Sequence, residues 1–347
     1  MDPVRTVPLE SDGRDIDTAV AVLSGEASGQ LAETHAQLAG IPEAFRKNPP
    51  ATYYGQPLLK QSVWSIDIPL YYFTGGAAGA AMVLGAAIQA GSCGARADCD
   101  LRRLSVTCHW MGIVGSTMGA AFLIHDLGRP ARFLHMMRVF RPTSPMNMGA
   151  WILAGAAPTA IVTGLFINRP GVLGWIGEAA GYASGFWGAG LSCYTGVLVA
   201  GSAIPVWQEA RRWMPVLFAA SAATTAASIL DLFYEGREAR RITRVFGTVG
   251  RCIELAAGGR VEQSASRVRR VGRPFRRGAT GVLWKAAGVL TAASLVLSLL
   301  PDRSRRTQRI AGVLGAAGSL AMRFAVHYIT NASARDPRAS FDLQRSA

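Results

Sequence analysis

The sequence contains several almost uncharged apolar runs, each about as long as a lipid bilayer is thick. Roughly 20 consecutive apolar residues in an α-helix are enough to cross the hydrocarbon core. Runs of this length begin near positions 66, 101, 148, 175, 214, 279 and 309. A backbone that crosses lipid must satisfy its hydrogen bonds internally, and a helix does so. The pattern therefore predicts an all-α, polytopic transmembrane helical bundle.

One further segment, residues 237–258, has the length of a span but is rich in charge. The charged residues that interrupt its apolar sequence include Arg240, Arg241, Arg244, Arg251 and Glu254. It is either a span whose charges face the bundle or an amphipathic helix on the membrane surface. We favour the span, which gives about eight spans in all. Residues 259–278 are then predicted to form a basic linker.

These runs divide the chain into three parts. Residues 1–52 form a polar N-terminal tail, residues 53–334 the transmembrane domain, and residues 335–347 a C-terminal tail. The first 45 residues lean acidic and contain nothing that would bury a core, which is typical of a flexible tail. The N-terminus has no basic stretch followed directly by an apolar one, so no cleavable signal peptide is predicted.

The chain carries a formal net charge of +14, but its basic residues lie almost entirely between the apolar runs. That placement is typical of loops that set topology and contact anionic lipid, and it argues against nucleic-acid binding. With both termini in the cytoplasm, the larger share of Lys and Arg falls on the cytoplasmic side. The charge bias therefore predicts that both termini are cytoplasmic.

Metal and haem sites are not predicted. The five cysteines, at positions 93, 99, 108, 193 and 252, form no CxxC pair and no four-ligand spacing, so neither an iron–sulfur cluster nor a structural zinc is expected. A haem subunit would need paired histidines. His109 and His125 lie about 160° apart on one helix at roughly 100° per residue, so they do not face one haem.

The most polar stretch of the apolar region is residues 125–151, which joins the second and third apolar runs. His125, Asp126 and Arg129 lie there at helical spacing. Ionisable groups at a membrane boundary are costly, which favours a functional role. The alternative is an interfacial anchor whose arginines reach lipid phosphates.

A quinone pocket would use the side chains found at the ends of the first two spans. Quinone reduction takes two electrons and two protons, so such a pocket needs proton-relaying groups and donors for the carbonyl oxygens. The residues that supply these groups are Asp67, Tyr71, His125, Asp126 and Arg129. With eight spans they fall at the same end of antiparallel neighbours, which makes one site plausible. The alternative is an Asp126–Arg129 ion pair that caps the loop, with Asp67 as a helix N-terminal charge.

Arg323 lies in the middle of the last span and needs a partner. Glu254 is the best-placed opposite charge if residues 237–258 span the membrane, so we predict a buried Arg323–Glu254 pair. Arg323→Ala should then cost several kcal/mol, because the carboxylate is left without its partner.

Four stretches of the sequence closely resemble the NrfD/PsrC family, the membrane subunits of polysulfide-reductase-like complexes. They are residues 53–60 (YYGQPLLK), 68–79 (IPLYYFTGGAAG), 125–151 (HDLGRPARFLHMMRVFRPTSPMNMGAW) and 194–207 (YTGVLVAGSAIPVW). The combination DLGRPxRF, at residues 126–133, followed by PTSPM is specific to this family. Asp126 and Arg129 match the motif directly, and Asp67 and Tyr71 occupy the corresponding region of the first helix.

The resemblance implies an eight-helix subunit of a respiratory oxidoreductase complex in the bacterial inner membrane. Such a subunit has no bound metal or haem, interacts with quinone (menaquinone or ubiquinone as an exchangeable substrate) and is not the catalytic subunit. It anchors an iron–sulfur ferredoxin-like subunit, with a molybdopterin catalytic subunit beyond. A transporter or ion-translocating bundle remains the alternative, since intramembrane Asp, Glu and Arg also mark such pathways. The two halves of the sequence show no visible internal repeat.

Overall fold

The structure is a computed structural model that describes residues 14–17, 22–25, 59, 62, 64–91, 99–128, 131–233, 236–301 and 304–346. The chain divides into two units, and the first includes residues 1–56. Within it, strands β1 (Arg14–Asp17) and β2 (Val22–Gly25) pair antiparallel, with Arg14 opposite Gly25. The rest of the predicted N-terminal tail lies outside the described residues.

The second unit is helical throughout the elements that the structure describes. Its helices are α1 (Asp67–Gly91), α2 (Cys99–Asp126), α3 (Ala131–Met136), α4 (Pro145–Phe166), α5 (Gly171–Ala200), α6 (Pro205–Ala210), α7 (Met214–Phe233), α8 (Arg237–Ala265), α9 (Arg273–Arg276), α10 (Gly278–Leu299), α11 (Arg305–Ala334) and α12 (Pro337–Ser346).

Six of these helices are long and apolar enough to cross a membrane: α1, α2, α4, α7, α10 and α11. The chain is therefore an all-α, multi-pass helical membrane protein. Helices α5 and α8 have 30 and 29 residues, which is long enough to cross. Glycine and polar aromatic residues dilute the hydropathy of α5, and charges dilute that of α8. The predicted count of eight spans requires both of them to cross, and it stays a prediction.

The eight long helices pack as two groups of four. In the first, α1 contacts α2 and α5, and α4 closes the ring by contacting α2 and α5. In the second, α7 contacts α8 and α11, and α10 closes the ring in the same way. The two groups meet mainly where α7 packs on α1 and α5. Each group thus buries one core, and α1, α7 and α11 lie where the cores join.

The charged segment at residues 237–258 lies within a single helix, α8, which packs along the bundle. Its buried residues recur at helical spacing on the face toward α7 and include Gly247, Gly250, Glu254 and Ala257. The prediction that residues 259–278 form a linker was wrong in its first part, because α8 continues to Ala265. Val261 and Ala265 are fully buried, so the helix keeps an apolar face beyond residues 258–259.

Helices α1 and α5 approach each other so closely that only glycine fits at the contact. A Cβ atom built on Gly79 would lie 2.7 Å from the Ser192 nitrogen, and one on Gly188 would lie 2.7 Å from the Gly79 carbonyl oxygen. The neighbouring atoms are backbone and cannot move aside as a side chain would. Small residues at such crossings let membrane helices pack by van der Waals contact.

Gly79→Leu should therefore destabilise the protein by about 2 kcal/mol or more, since the added side chain must separate α1 from α5. Thermal unfolding of the purified protein in detergent measures the effect. Gly91→Leu is the matched control, because a Cβ at Gly91, in the same helix, meets no atom within 4 Å. Equal stability of the two variants would contradict the close packing.

Candidate functional site

Asp67 and His125 meet where α1 begins and α2 ends. The His125 Nδ1 atom lies 2.7 Å from Asp67 Oδ2. An aspartate in the first turn of a helix and a histidine in the last turn of the next are both favoured by the helix dipoles. Antiparallel packing of α1 and α2 then brings the two side chains to the same end of the bundle. We call this end the site end.

The two partners differ in their access to solvent. The His125 side chain is 81% exposed, whereas that of Asp67 is 14% exposed. His125 therefore lies on the outside of the pair and Asp67 on the inside. A proton that reaches the Asp67 carboxylate from the surface can pass through the imidazole, which changes charge in the physiological pH range.

Ser65 joins Asp67 to Asp126, a role that sequence reasoning missed. Its hydroxyl lies 2.9 Å from Asp67 Oδ2 and 2.7 Å from Asp126 Oδ1. The Ser65 backbone N–H also donates to Asp126 Oδ1 at 2.9 Å. A hydroxyl has one proton, so it donates to only one of the two carboxylates at a time. The signal in the sequence was a serine two residues before an aspartate at a helix start, the usual position of a capping residue.

Ser65, Asp67, His125 and Asp126 thus form a connected group, which we call the carboxylate cluster. Its side chains are joined by hydrogen bonds to carboxylates, and the Asp67 backbone N–H donates to the Ser65 hydroxyl oxygen at 3.2 Å. His125 and Ser65 are exposed, so the cluster can exchange protons with the surface. Arg129, the fifth predicted site residue, lies outside the described residues, so its predicted pairing with Asp126 stays a prediction.

Asn147 holds the loop that follows α2. Its Nδ2 donates to the Met136 and Val139 carbonyl oxygens, and its Oδ1 accepts the Arg141 backbone N–H at 2.7 Å. Ser144 caps α4 by accepting the Asn147 backbone N–H. These contacts fix the turn between α3 and α4.

Tyr71 lies one turn of α1 below Asp67 and is buried, with 1% of its surface exposed. Its ring fills space left by two glycines: a Cβ on Gly75 would lie 3.3 Å from the ring, and one on Gly119 of α2 would lie 3.1 Å from it. Its hydroxyl has no hydrogen-bond partner among the described residues. A buried hydroxyl without a partner is costly, so the Tyr71 hydroxyl keeps a hydrogen-bonding capacity that no described residue uses.

Aromatic side chains surround Tyr71. The ring centroids of Tyr72 and Tyr194 lie 6.1 Å and 6.3 Å from that of Tyr71. The Tyr72 hydroxyl is also buried without a partner among the described residues. Tyr194 reaches this place from α5 and could be expected only once α5 was known to pack on α1. The arrangement offers flat, apolar walls with hydroxyl groups at their edges.

Arg323 connects this region to the second group of helices. Its Nη2 donates to the Phe218 carbonyl oxygen at 2.9 Å, and its guanidinium carbon lies 4.0 Å from the centre of the Phe218 ring. The Phe218 ring in turn meets that of Tyr72 edge-on at 5.7 Å. Gly76 makes room for the guanidinium, because a Cβ there would lie 3.3 Å from Nη2. Arg323 therefore lies at the junction of α1, α7 and α11.

The predicted partners Arg323 and Glu254 are both buried, at 1% and 4% exposure. In the part of the chain that the structure describes, however, the two side chains form no direct ion pair with each other. The Glu254 carboxylate instead accepts from the Ser319 hydroxyl at 3.3 Å. Coupling between the two charges stays a prediction.

The buried ion pair that the structure does form was missed. Arg251 Nη2 lies 3.7 Å from Asp231 Oδ2, and both side chains are almost fully buried. The same nitrogen donates to the Ser228 hydroxyl at 3.0 Å. Asp231 and Ser228 lie one turn apart on α7, and their spacing, with an arginine inside α8, was the available signal.

No three His, Cys, Asp or Glu side chains converge as metal ligands within the described residues. His109 is fully buried, and its Nδ1 lies 3.3 Å from the Ser184 hydroxyl. That contact holds α2 against α5.

The sequence matches the family model described as polysulphide reductase, NrfD, over residues 57–331. This range covers the helices from α1 to α10 and nearly all of α11. The chain belongs to the NrfD family. Proteins of this family are membrane subunits of oxidoreductase complexes, and they work with partner subunits in a lipid bilayer. Comparison with curated proteins finds no match. In this NrfD protein, the carboxylate cluster and the buried tyrosines lie at the same end of the first four-helix group.

Proposed function

We propose that this NrfD protein exchanges electrons and protons with membrane quinone in a respiratory oxidoreductase complex. The observation that carries the proposal is the stack at the site end. A solvent-connected carboxylate cluster lies above the buried Tyr71 hydroxyl, which has no partner among the described residues. A quinone ring needs both a route for protons and a donor for a carbonyl oxygen, and the two are one helical turn apart.

Each residue then has a definite role. His125 exchanges protons with the surface and holds one against the Asp67 carboxylate, and Asp67 passes it toward the substrate. Ser65 and Asp126 share the next proton, which allows the two transfers that complete quinol formation. Tyr71 donates a hydrogen bond to a carbonyl oxygen, and Tyr72 and Tyr194 provide the walls of the pocket. Arg129, the neighbour of Asp126 in the family motif, is proposed to complete the loop.

The electrons come from partner subunits. We propose an iron–sulfur ferredoxin-like subunit docked on this protein and a molybdopterin catalytic subunit beyond it, in a bacterial inner membrane. α1 begins at the site end and α11 finishes there. With both termini in the cytoplasm, protons would exchange with the cytoplasmic side. The protein is then the quinone-interacting subunit, with menaquinone or ubiquinone as an exchangeable substrate.

Tyr71→Phe tests the pocket. Because the hydroxyl has no partner among the described residues, its removal should leave the thermal stability unchanged or slightly higher. The KM for quinone in the intact complex should rise about tenfold, the usual worth of one hydrogen bond made to a ligand. Tyr182→Phe, an exposed tyrosine on α5, is the control. A KM that stays the same in the Tyr71 variant would place the carbonyl donor elsewhere.

A second candidate function, ion or proton translocation without a redox role, is favoured by one observation. The ionisable side chains buried within the second group of helices include Asp231, Arg251, Glu254 and Arg323. Such groups in a membrane often line ion paths. Liposomes that contain this subunit alone discriminate the two functions. Proton flux without any quinone turnover would favour translocation, and an absence of flux favours the redox role.

A further inference from the structure

A second charged site lies in the turn between α8 and α10. This turn is also at the site end, but it belongs to the second group of helices. We call residues 267–277 the arginine turn. Its arginines at positions 269, 270, 273, 276 and 277 line a cavity of about 710 Å³. Arg270, Arg273 and Arg277 also line a second cavity of about 500 Å³, beside the end of α11. Two spaces therefore share three arginines.

The arginine turn lies at the same end of the bundle as the carboxylate cluster. The Phe275 ring packs edge-on against Trp207 of α6 at 6.1 Å and against Trp284 of α10 at 4.8 Å. Trp207 donates from Nε1 to the Thr330 hydroxyl of α11 at 2.9 Å. These contacts hold the backbone of the turn on the ends of α10 and α11.

Most of the charge in the turn is not neutralised. Arg270 donates to both oxygens of Asp336, at 2.8 Å and 3.1 Å, and these hydrogen bonds raise the pKa of Arg270. Arg269, Arg273, Arg276 and Arg277 are exposed and form no ion pair with a carboxylate that the structure describes. Four positive charges thus face two adjoining cavities, whose linings also include one carboxylate each, Asp336 in the smaller and Asp342 in the larger.

The start of α10 adds to this positive field. Gly278 has φ of +72° and opens the helix, and the residue before it, Arg277, makes no side-chain cap. The first backbone N–H groups of the helix are then available, and with the helix dipole they favour an anion. Gly278 and Thr280 line the smaller cavity. An anion there would meet guanidinium groups and helix N–H groups together.

The position of the cavity relative to the bilayer indicates which anion. Helix α10 is one of the membrane-spanning helices, and Val282, Val289 and Val296 form a stripe along it that is 60–70% exposed. Residues seven apart lie on one face, so this stripe faces the lipid tails. The cavity lies directly beyond the first residue of the stripe, where a lipid headgroup begins.

We propose that the arginine turn binds an anionic phospholipid, with its phosphate in the cavities and its acyl chains along the valine stripe of α10. A lipid with two phosphates fits best, because two adjoining cavities share three arginines. Basic pockets between transmembrane helices bind such headgroups, and each Arg–phosphate contact can be bidentate. This proposal does not depend on the quinone function.

Lipid binding to the full-length protein tests this proposal. Native mass spectrometry in detergent measures the affinity for cardiolipin and for phosphatidylcholine. The unsubstituted protein should bind one cardiolipin in preference to phosphatidylcholine. The double variant R273Q/R277Q should bind cardiolipin at least about tenfold more weakly. The matched control R306Q/R309Q removes two exposed arginines from the other end of α11 and should bind as the unsubstituted protein does.

Three results would overturn the proposal. The first is equal cardiolipin binding by the double variant and the control. The second is displacement of cardiolipin by an equal concentration of inorganic pyrophosphate, which would make the site one for soluble anions. The third is a double variant that keeps its lipid but loses an acidic partner protein on purification. If the double variant does not fold, the single variants R273Q and R277Q carry the same test, each with about a fivefold loss.

Discussion

Asp67→Asn should lower quinone-linked turnover of the intact complex by about 100-fold or more, with the complex still assembled. General acid–base groups contribute roughly 10²–10⁴-fold to a rate, and Asn keeps the shape of the side chain but cannot carry the proton. The Ser65 and His125 contacts allow an amide in place of the carboxylate. Steady-state electron transfer to a soluble quinone analogue measures the effect.

Asp100→Asn is the matched control for this prediction. Asp100 also lies in the first turn of a spanning helix, α2, but at the end opposite the carboxylate cluster. It should leave turnover within about twofold of the unsubstituted complex, because loss of a partly exposed helix-end charge far from the cluster has a small effect. Asp126→Asn should also slow turnover, since Asp126 shares the Ser65 proton. Full activity in both Asp67→Asn and Asp126→Asn would mean that the pocket lies elsewhere.

Arg251→Ala should destabilise the protein by about 3–5 kcal/mol, because it leaves the Asp231 carboxylate buried without its ion-pair partner. The large effect comes from the uncompensated charge rather than from the attraction that is lost. The double variant Asp231→Asn with Arg251→Gln should recover much of this loss, since it removes both charges of the pair. Thermal or denaturant unfolding of the purified protein measures both variants.

The control for Arg251 is Arg306→Ala, which removes an exposed arginine and should change stability by less than about 0.5 kcal/mol. A double variant that is as unstable as Arg251→Ala alone would show that Asp231 and Arg251 are not energetically coupled. The two side chains would then lie close together without stabilising the protein. The same pair of measurements on Arg323→Ala and Glu254→Gln reports on the predicted coupling of those charges.

The long helices were predictable because apolar runs and their length decide them. The meeting of Asp67 with His125 also followed from the sequence, because two antiparallel neighbours bring the start of one helix to the end of the next. The family motif pointed to the same place. The long helices and the Asp67–His125 contact depend on the periodicity and length of apolar runs and on where helices end. All of these can be inferred from a single sequence.

The contacts that the sequence did not reveal depend on close approach in three dimensions. Arg323 was assigned to Glu254 on charge alone, yet its guanidinium lies on Phe218, where Gly76 leaves room. Arg251 and Asp231 pair because α8 and α7 pack face to face, which the hydropathy of α8 obscures. Ser65 uses its hydroxyl and its backbone N–H, and the Asn147 side chain binds backbone groups of the loop, so their roles appear only when the turns are formed.

Photoaffinity labelling with an azido-quinone tests the central claim most directly. The intact complex is labelled, digested and mapped by mass spectrometry, with excess quinone as competitor. The account predicts competed label on the first turns of α1 and the last turns of α2, around Tyr71 and His125. The contradicting result is competed label in the groove between α8 and α10, a cavity of about 210 Å³ lined by Glu254 and Trp284, with none near Tyr71.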